Sequence, residues 1–147
     1  VLGVCRHIVN YSNKKNYNIS NLKLQKLLYF VQAYFLAKKN RPCFNEEIQA
    51  WAFGPVVPEA YQEFKQYGGC NIPEVIDGRI GTEINECKFE QSDESDIESI
   101  VDVFSGYSAS ALVTLTHQQD PWKNNYAPGK NNIIEKKDIK EYFNGRS

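Results

Sequence analysis

The chain has 147 residues, 41% hydrophobic and 24% charged, the balance of one globular domain rather than of a disordered or fibrous protein. A formal net charge of −1 argues against a nucleic-acid binder that relies on bulk electrostatics. The charge is uneven: nine Lys/Arg face four Asp/Glu in residues 1–73, two face ten in 74–102, and six face four in 103–147. An acidic block therefore lies between basic flanks. Lys23, Lys26 and Lys38 interrupt the most apolar stretch, so no run reaches the roughly 18 residues of a membrane span. The first residues show no basic-then-apolar leader, and a cytoplasmic protein is expected. Cys5, Cys43, Cys70 and Cys87 contain no Cys-x-x-Cys pair, which argues against zinc and for reduced thiols packed as small apolar groups.

In chain order, Val1, Val4 or Cys5, and Ile8 predict a first helix to about Tyr11, with a polar loop over 12–16. Ser20 is placed to cap a second helix, about 21–39. Leu24, Leu27, Leu28, Val31 and Phe35 fall on one face of it, while Leu22, Tyr29, Phe30, Ala33, Tyr34 and Leu36 cover much of the rest. A helix apolar nearly all round belongs in an interior, so this one is the expected spine of the domain. Lys38, Lys39 and Arg41 suit the negative end of its dipole, and Pro42 stops it. Alternation through Ile48, Ala50 and Ala52 predicts a short extended segment near 46–53, and Gly54-Pro55 reads as a turn. Pro58 suits the first position of a third helix that turns Ala60, Tyr61, Phe64 and Tyr67 inward and closes at Gly68-Gly69.

Residues 70–92 fit either an irregular excursion or a small β-hairpin turning at Asp77-Gly78. Ser92 or Asp93 then caps a helix with Ile97, Ile100, Val101 and Phe104 inward, closed by Gly106. Ser108 caps a short helix holding Leu112 and Leu115, and a last helix over 135–143 carries Ile139, Tyr142 and Phe143. The expected fold is mainly α, a single compact multi-helix domain over 1–147 around a buried central helix.

Chemistry is hard to find. No phosphate loop and no His-Glu-x-x-His occur, two histidines 110 positions apart make no local metal pair, and no cofactor is implied. Two clusters stand out. In 50–61, Trp51 is a candidate contact residue, whereas Phe53, Gly54 and Pro55 are expected to cover the spine and make its turn. In Thr116-His117-x-x-x-Pro121-Trp122, His117 is read first as a structural hydrogen-bonder, with an acid, base or ligand role as the alternative.

Leu24-Gln25-Lys26-Leu27-Leu28-Tyr29-Phe30, then Ile48-Gln49-Ala50-Trp51, Gly54-Pro55-Val56, Tyr61, Thr116-His117 and Pro121-Trp122 together resemble the Panacea-domain family, the SocA-like and GepA-like prophage-associated proteins of bacteria and phages. The match spans most of the chain in order. The resemblance implies a mainly helical antitoxin that neutralises a cognate toxin, encoded by the adjacent gene, through direct protein contact, in some cases by handing the toxin to a protease. It implies no catalysis, and the motif residues are expected to build the fold. Candidate partner contacts are Trp51, Glu59 and Glu63, together with Glu90, Asp93 and Glu94 of the acidic block, which is read either as a solvated helix start or as a face that would steer a basic partner. The competing readings are a small enzyme using His117 and a DNA-binding autoregulator, the latter disfavoured by the charge balance.

Overall fold

Leu24, Leu27, Leu28, Tyr29 and Val31 are almost wholly excluded from solvent. They lie on α2, Asn21–Tyr34, the helix around which the other elements assemble in the computed structural model, which describes residues 1–75 and 90–145. Ser20 caps it as expected, its hydroxyl accepting from the Lys23 N–H at 3.3 Å. Ser20→Ala is therefore expected to cost about 1 kcal/mol of unfolding free energy in urea titrations; an unchanged midpoint would show that the hydroxyl does not stabilise the helix start. The last turn widens into a π-helical turn, Phe35–Lys39, and Asn40 ends it at φ +59°. Asparagine tolerates that left-handed conformation because its short polar side chain bonds locally.

Helix α1, Leu2–Lys14, runs past the predicted end at Tyr11. Ser12, expected in a loop, is buried on its inner face. Helix α3, Pro58–Phe64, begins at its proline, continues as a short 3-10 turn, Lys65–Tyr67, and ends at Gly68 with positive φ. Helix α4 is Gln91–Phe104, α5 Ala109–His117, α6 Asp120–Lys123 and α7 Lys136–Asn144. Ser108 caps α5 by accepting from the Ala111 N–H at 3.1 Å. Helix α4 has no side-chain cap; its preceding residue is Glu90, not Ser92 or Asp93. Helices α1, α3, α4, α5 and α7 all pack on α2, giving the mainly α fold expected. Phe30 illustrates the packing, stacked on Phe104 of α4 at 4.4 Å and edge-on to Phe143 of α7.

Three short strands form an antiparallel sheet in the order β2-β1-β3: β1 is Ile48–Trp51, β2 Gly54–Val56 and β3 Asn132–Ile134. Gly54-Pro55, expected to be the turn, belongs to the strand instead. Trp51 pairs with Gly54 and Ala50 with Pro55, so Ala52-Phe53 make the reversal. Pro55 is tolerated because β2 is an edge strand that need not donate on both sides. The expected Asp77-Gly78 hairpin lies outside the described residues. The stretch up to Val75 is pinned by asparagines. Asn10 exchanges two hydrogen bonds with the Val75 backbone, Asn13 donates to the Ile72 carbonyl, and the Asn71 side chain accepts from the Ile19 N–H.

Candidate functional site

The polar residues of α2 are as buried as its leucines. Each holds a piece of non-helical backbone or a neighbouring side chain. Asn21 donates to the Tyr61 carbonyl, and Gln25 takes the Val57 N–H at 3.0 Å while donating to Asn21. Gln32 accepts from the Cys43 and Phe44 N–H groups and donates to the Phe44 carbonyl. Tyr29 donates to Gln119 at 2.8 Å, just ahead of α6. These groups recur down the helix at three- and four-residue steps, so they form a seam along it. Unpaired, each would cost about 1–3 kcal/mol in desolvation.

Lys26 sits at the centre of this seam, fully buried, its Nζ donating to the Pro55 carbonyl at 3.0 Å. Burial pushes its pKa down from 10.5 to about 7. Gly54 lies directly against it at φ +107°, so close that a Cβ there would stand 2.6 Å from Lys26 Cε and 2.8 Å from Thr116 Oγ1. Thr116 is buried and donates to the Val113 carbonyl at 2.9 Å.

His117 ends α5 and stacks on Trp122 with ring centres 3.9 Å apart; Trp122 in turn stacks on Tyr126 at 4.6 Å. Burial lowers the imidazole pKa and nearby Lys26 lowers it further, against a hydrogen bond with the Ala52 backbone that raises it. Its Nε2 has no hydrogen-bond partner among the described residues. Trp122 lies on α6, and its Nε1–H donates to the Trp51 carbonyl at 2.8 Å. The Trp51 ring meets Tyr61 edge-on at 5.1 Å and bonds Gln49 through its own N–H. Leu24, Leu27 and Phe30 pack beside this seam, and Pro121 is buried in the first turn of α6. Motif residues scattered from position 24 to 122 thus meet in one assembly, buried at its α2 side and half-buried at Trp51, Tyr61, His117 and Trp122.

The candidate contact residues are placed differently. Trp51 is half-buried, and Glu59, Glu63 and Glu90 are exposed. Phe53, expected to cover the spine, is 66% exposed at the β1–β2 reversal, because the two-residue turn carries its side chain beyond the sheet. Ile133 of β3, opposite Gln49, is 47% exposed. No sequence signal marked it, since three residues are too few for alternation to show. Glu94 is half-buried. Asp93 is not the exposed contact it was expected to be: it is 5% exposed, and Lys39 and Arg41 bond it at 2.6 and 2.8 Å. Burial alone would raise its pKa, but those two cations outweigh it and hold the carboxyl below its usual range. The basic end of α2 and the acidic start of α4 neutralise each other there. Cys5 is buried as expected, whereas Cys70 is exposed; Cys87 lies outside the described residues.

A mainly helical domain with a small sheet and a motif-built buried polar seam is the class these features define. The family model described as "Antitoxin SocA-like, Panacea domain" matches residues 24–123, a stretch that contains the seam from Gln25 onward. The chain belongs to that family. Antitoxin SocA of Caulobacter vibrioides (strain NA1000 / CB15N) is 37% identical over 113 residues, covering 71% of this chain and 58% of the relative. The chain therefore spans little more than half the length of that curated relative. No solved structure matches. None of the described helices is long and apolar enough to cross a membrane.

Proposed function

We propose that this protein is an antitoxin that neutralises a cognate toxin, encoded by the adjacent gene, by direct protein contact in the cytoplasm and without catalysis of its own. The observation that carries the reading is the 37% identity to an antitoxin across 113 residues, beside a family match over 24–123 that takes in most of the motif assembly. Most of the motif residues are buried or half-buried, so partner contact is assigned chiefly to what they support. Phe53, the Trp51 edge and Ile133 supply exposed apolar area on the sheet, and α3, which meets Trp51 through Tyr61, carries the exposed carboxylates Glu59 and Glu63. Aromatic anchors rimmed by charge are the usual composition of a binding hot spot. Glu90, at the start of α4, adds long-range attraction for a basic partner.

Co-expression with the neighbouring gene tests this reading. Growth should recover and the two proteins should co-purify. Phe53→Glu should fold normally, its side chain being exposed, yet weaken the complex at least ~10-fold. Toxin that stays at constant level in the complex supports neutralisation by binding, and toxin that disappears only when a protease is present supports hand-over. Absence of both complex and relief of toxicity rejects the proposal.

A further inference from the structure

We infer that His7, Glu94 and Glu98 form a binding site for a divalent transition-metal ion of the zinc type. Glu94 and Glu98 are one helical turn apart on α4, so their carboxylates leave the same side of the helix. His7 reaches them from α1. One ligand atom from each of the three lies within 4.8 Å of the other two, and His7 Nε2 is 3.0 Å from a Glu98 oxygen. Bonds of roughly 2.0–2.2 Å to a central ion need only small side-chain rotations from that arrangement.

All three side chains are half-buried. The two carboxylates carry a charge of −2, which a dication cancels. One imidazole nitrogen with two carboxylate oxygens is a zinc or manganese donor set; calcium and magnesium sites are built from oxygen alone. His7 and Glu98 also line an open cleft of about 500 Å³ with Asn10, Glu74 and Lys14, which leaves room for water at the remaining coordination positions. Helix α1 lies wholly ahead of residue 24, where the family match begins. An ion here would clamp this N-terminal helix onto the family's domain. The local spacing that disfavoured a metal site is no obstacle, because the ligands are brought together by helix packing.

The full chain, stripped with chelator, is titrated with Zn²⁺ and separately with Mg²⁺ by calorimetry and thermal unfolding. One equivalent of Zn²⁺ should bind and raise the unfolding midpoint while Mg²⁺ does neither, and His7→Gln or Glu98→Gln should weaken binding at least ~10-fold. Cys70 is exposed and offers a competing thiolate, so Co²⁺ absorption is recorded as well. Weak visible bands without a thiolate charge-transfer band place the ion on His7, Glu94 and Glu98. Selective broadening of the His7 ring resonances of the unsubstituted chain by Mn²⁺ reports the same site without relying on any variant. No binding at millimolar Zn²⁺, a thiolate band, or broadening that spares His7 each overturns the assignment.

Discussion

Gly54→Ala should unfold this protein more readily than other glycine substitutions. Two penalties act together. The φ of +107° lies outside even the left-handed helical region that other residues occasionally adopt, and such strain costs of order 1–3 kcal/mol. The new methyl would also stand 2.6 Å from Lys26 Cε and 2.8 Å from Thr116 Oγ1, and overpacking of that kind costs about 1–3 kcal/mol more. Lys26 cannot simply swing away, because its amine holds the Pro55 carbonyl of the adjoining residue. A loss of roughly 3–5 kcal/mol is expected in urea unfolding. Gly129 is the control. Its φ is +75° but nothing lies within 4 Å of a Cβ there, so Gly129→Ala should cost only the backbone term. Equal losses at the two positions would show that the close approach to Lys26 is not what makes Gly54 necessary.

Stability should rise with pH above neutrality, and Lys26→Met should abolish most of that rise. The unfolded chain holds the Lys26 proton up to about 10.5, whereas the folded chain releases it near 7. Between these values the unfolded state binds one more proton, so raising the pH favours folding, and lowering it through 7 removes the gain. Each pH step above 7 is worth up to ~1.4 kcal/mol, or roughly 2–3 kcal/mol between pH 7 and 9. His117 faces the same seam and its lowered pKa adds a slope of the same sign at more acid pH. The measurement is the urea midpoint of both proteins from pH 6 to 9. Parallel curves for the two would mean that Lys26 does not titrate in that range and that the slope belongs to other groups. Both substitutions act on the frame that carries Trp51 and Phe53, so toxin neutralisation should fail in proportion to unfolding, whereas Phe53→Glu should fail while folded.

The spine was visible in the sequence because burial on all sides leaves a direct trace, a helix whose apolar residues do not keep to one face. Ser20 and Ser108 were visible as caps because a cap is a local hydrogen bond between a side chain and the next turn. Pro58 marked the start of α3 for the equally local reason that it has no N–H to lose. The family motif too was legible, as residue types in order.

What those motif residues do was decided by tertiary structure. Lys26 reads in the sequence as an interruption of an apolar run, and only packing shows it buried, shedding its proton near neutrality against the backbone of Pro55. Asp93 reads as part of a steering acidic patch until Lys39 and Arg41, more than 50 positions away, are found to neutralise it. Gly54-Pro55 reads as a turn because both residue types favour turns, yet the ladder to β1 takes them into a strand. The three-residue strand β3 and the gathering of His7 with Glu94 and Glu98 leave no periodicity or spacing to detect. Local backbone chemistry is written in neighbouring residues. The partner of a buried charge is chosen by which helices pack together, and that choice belongs to the whole chain.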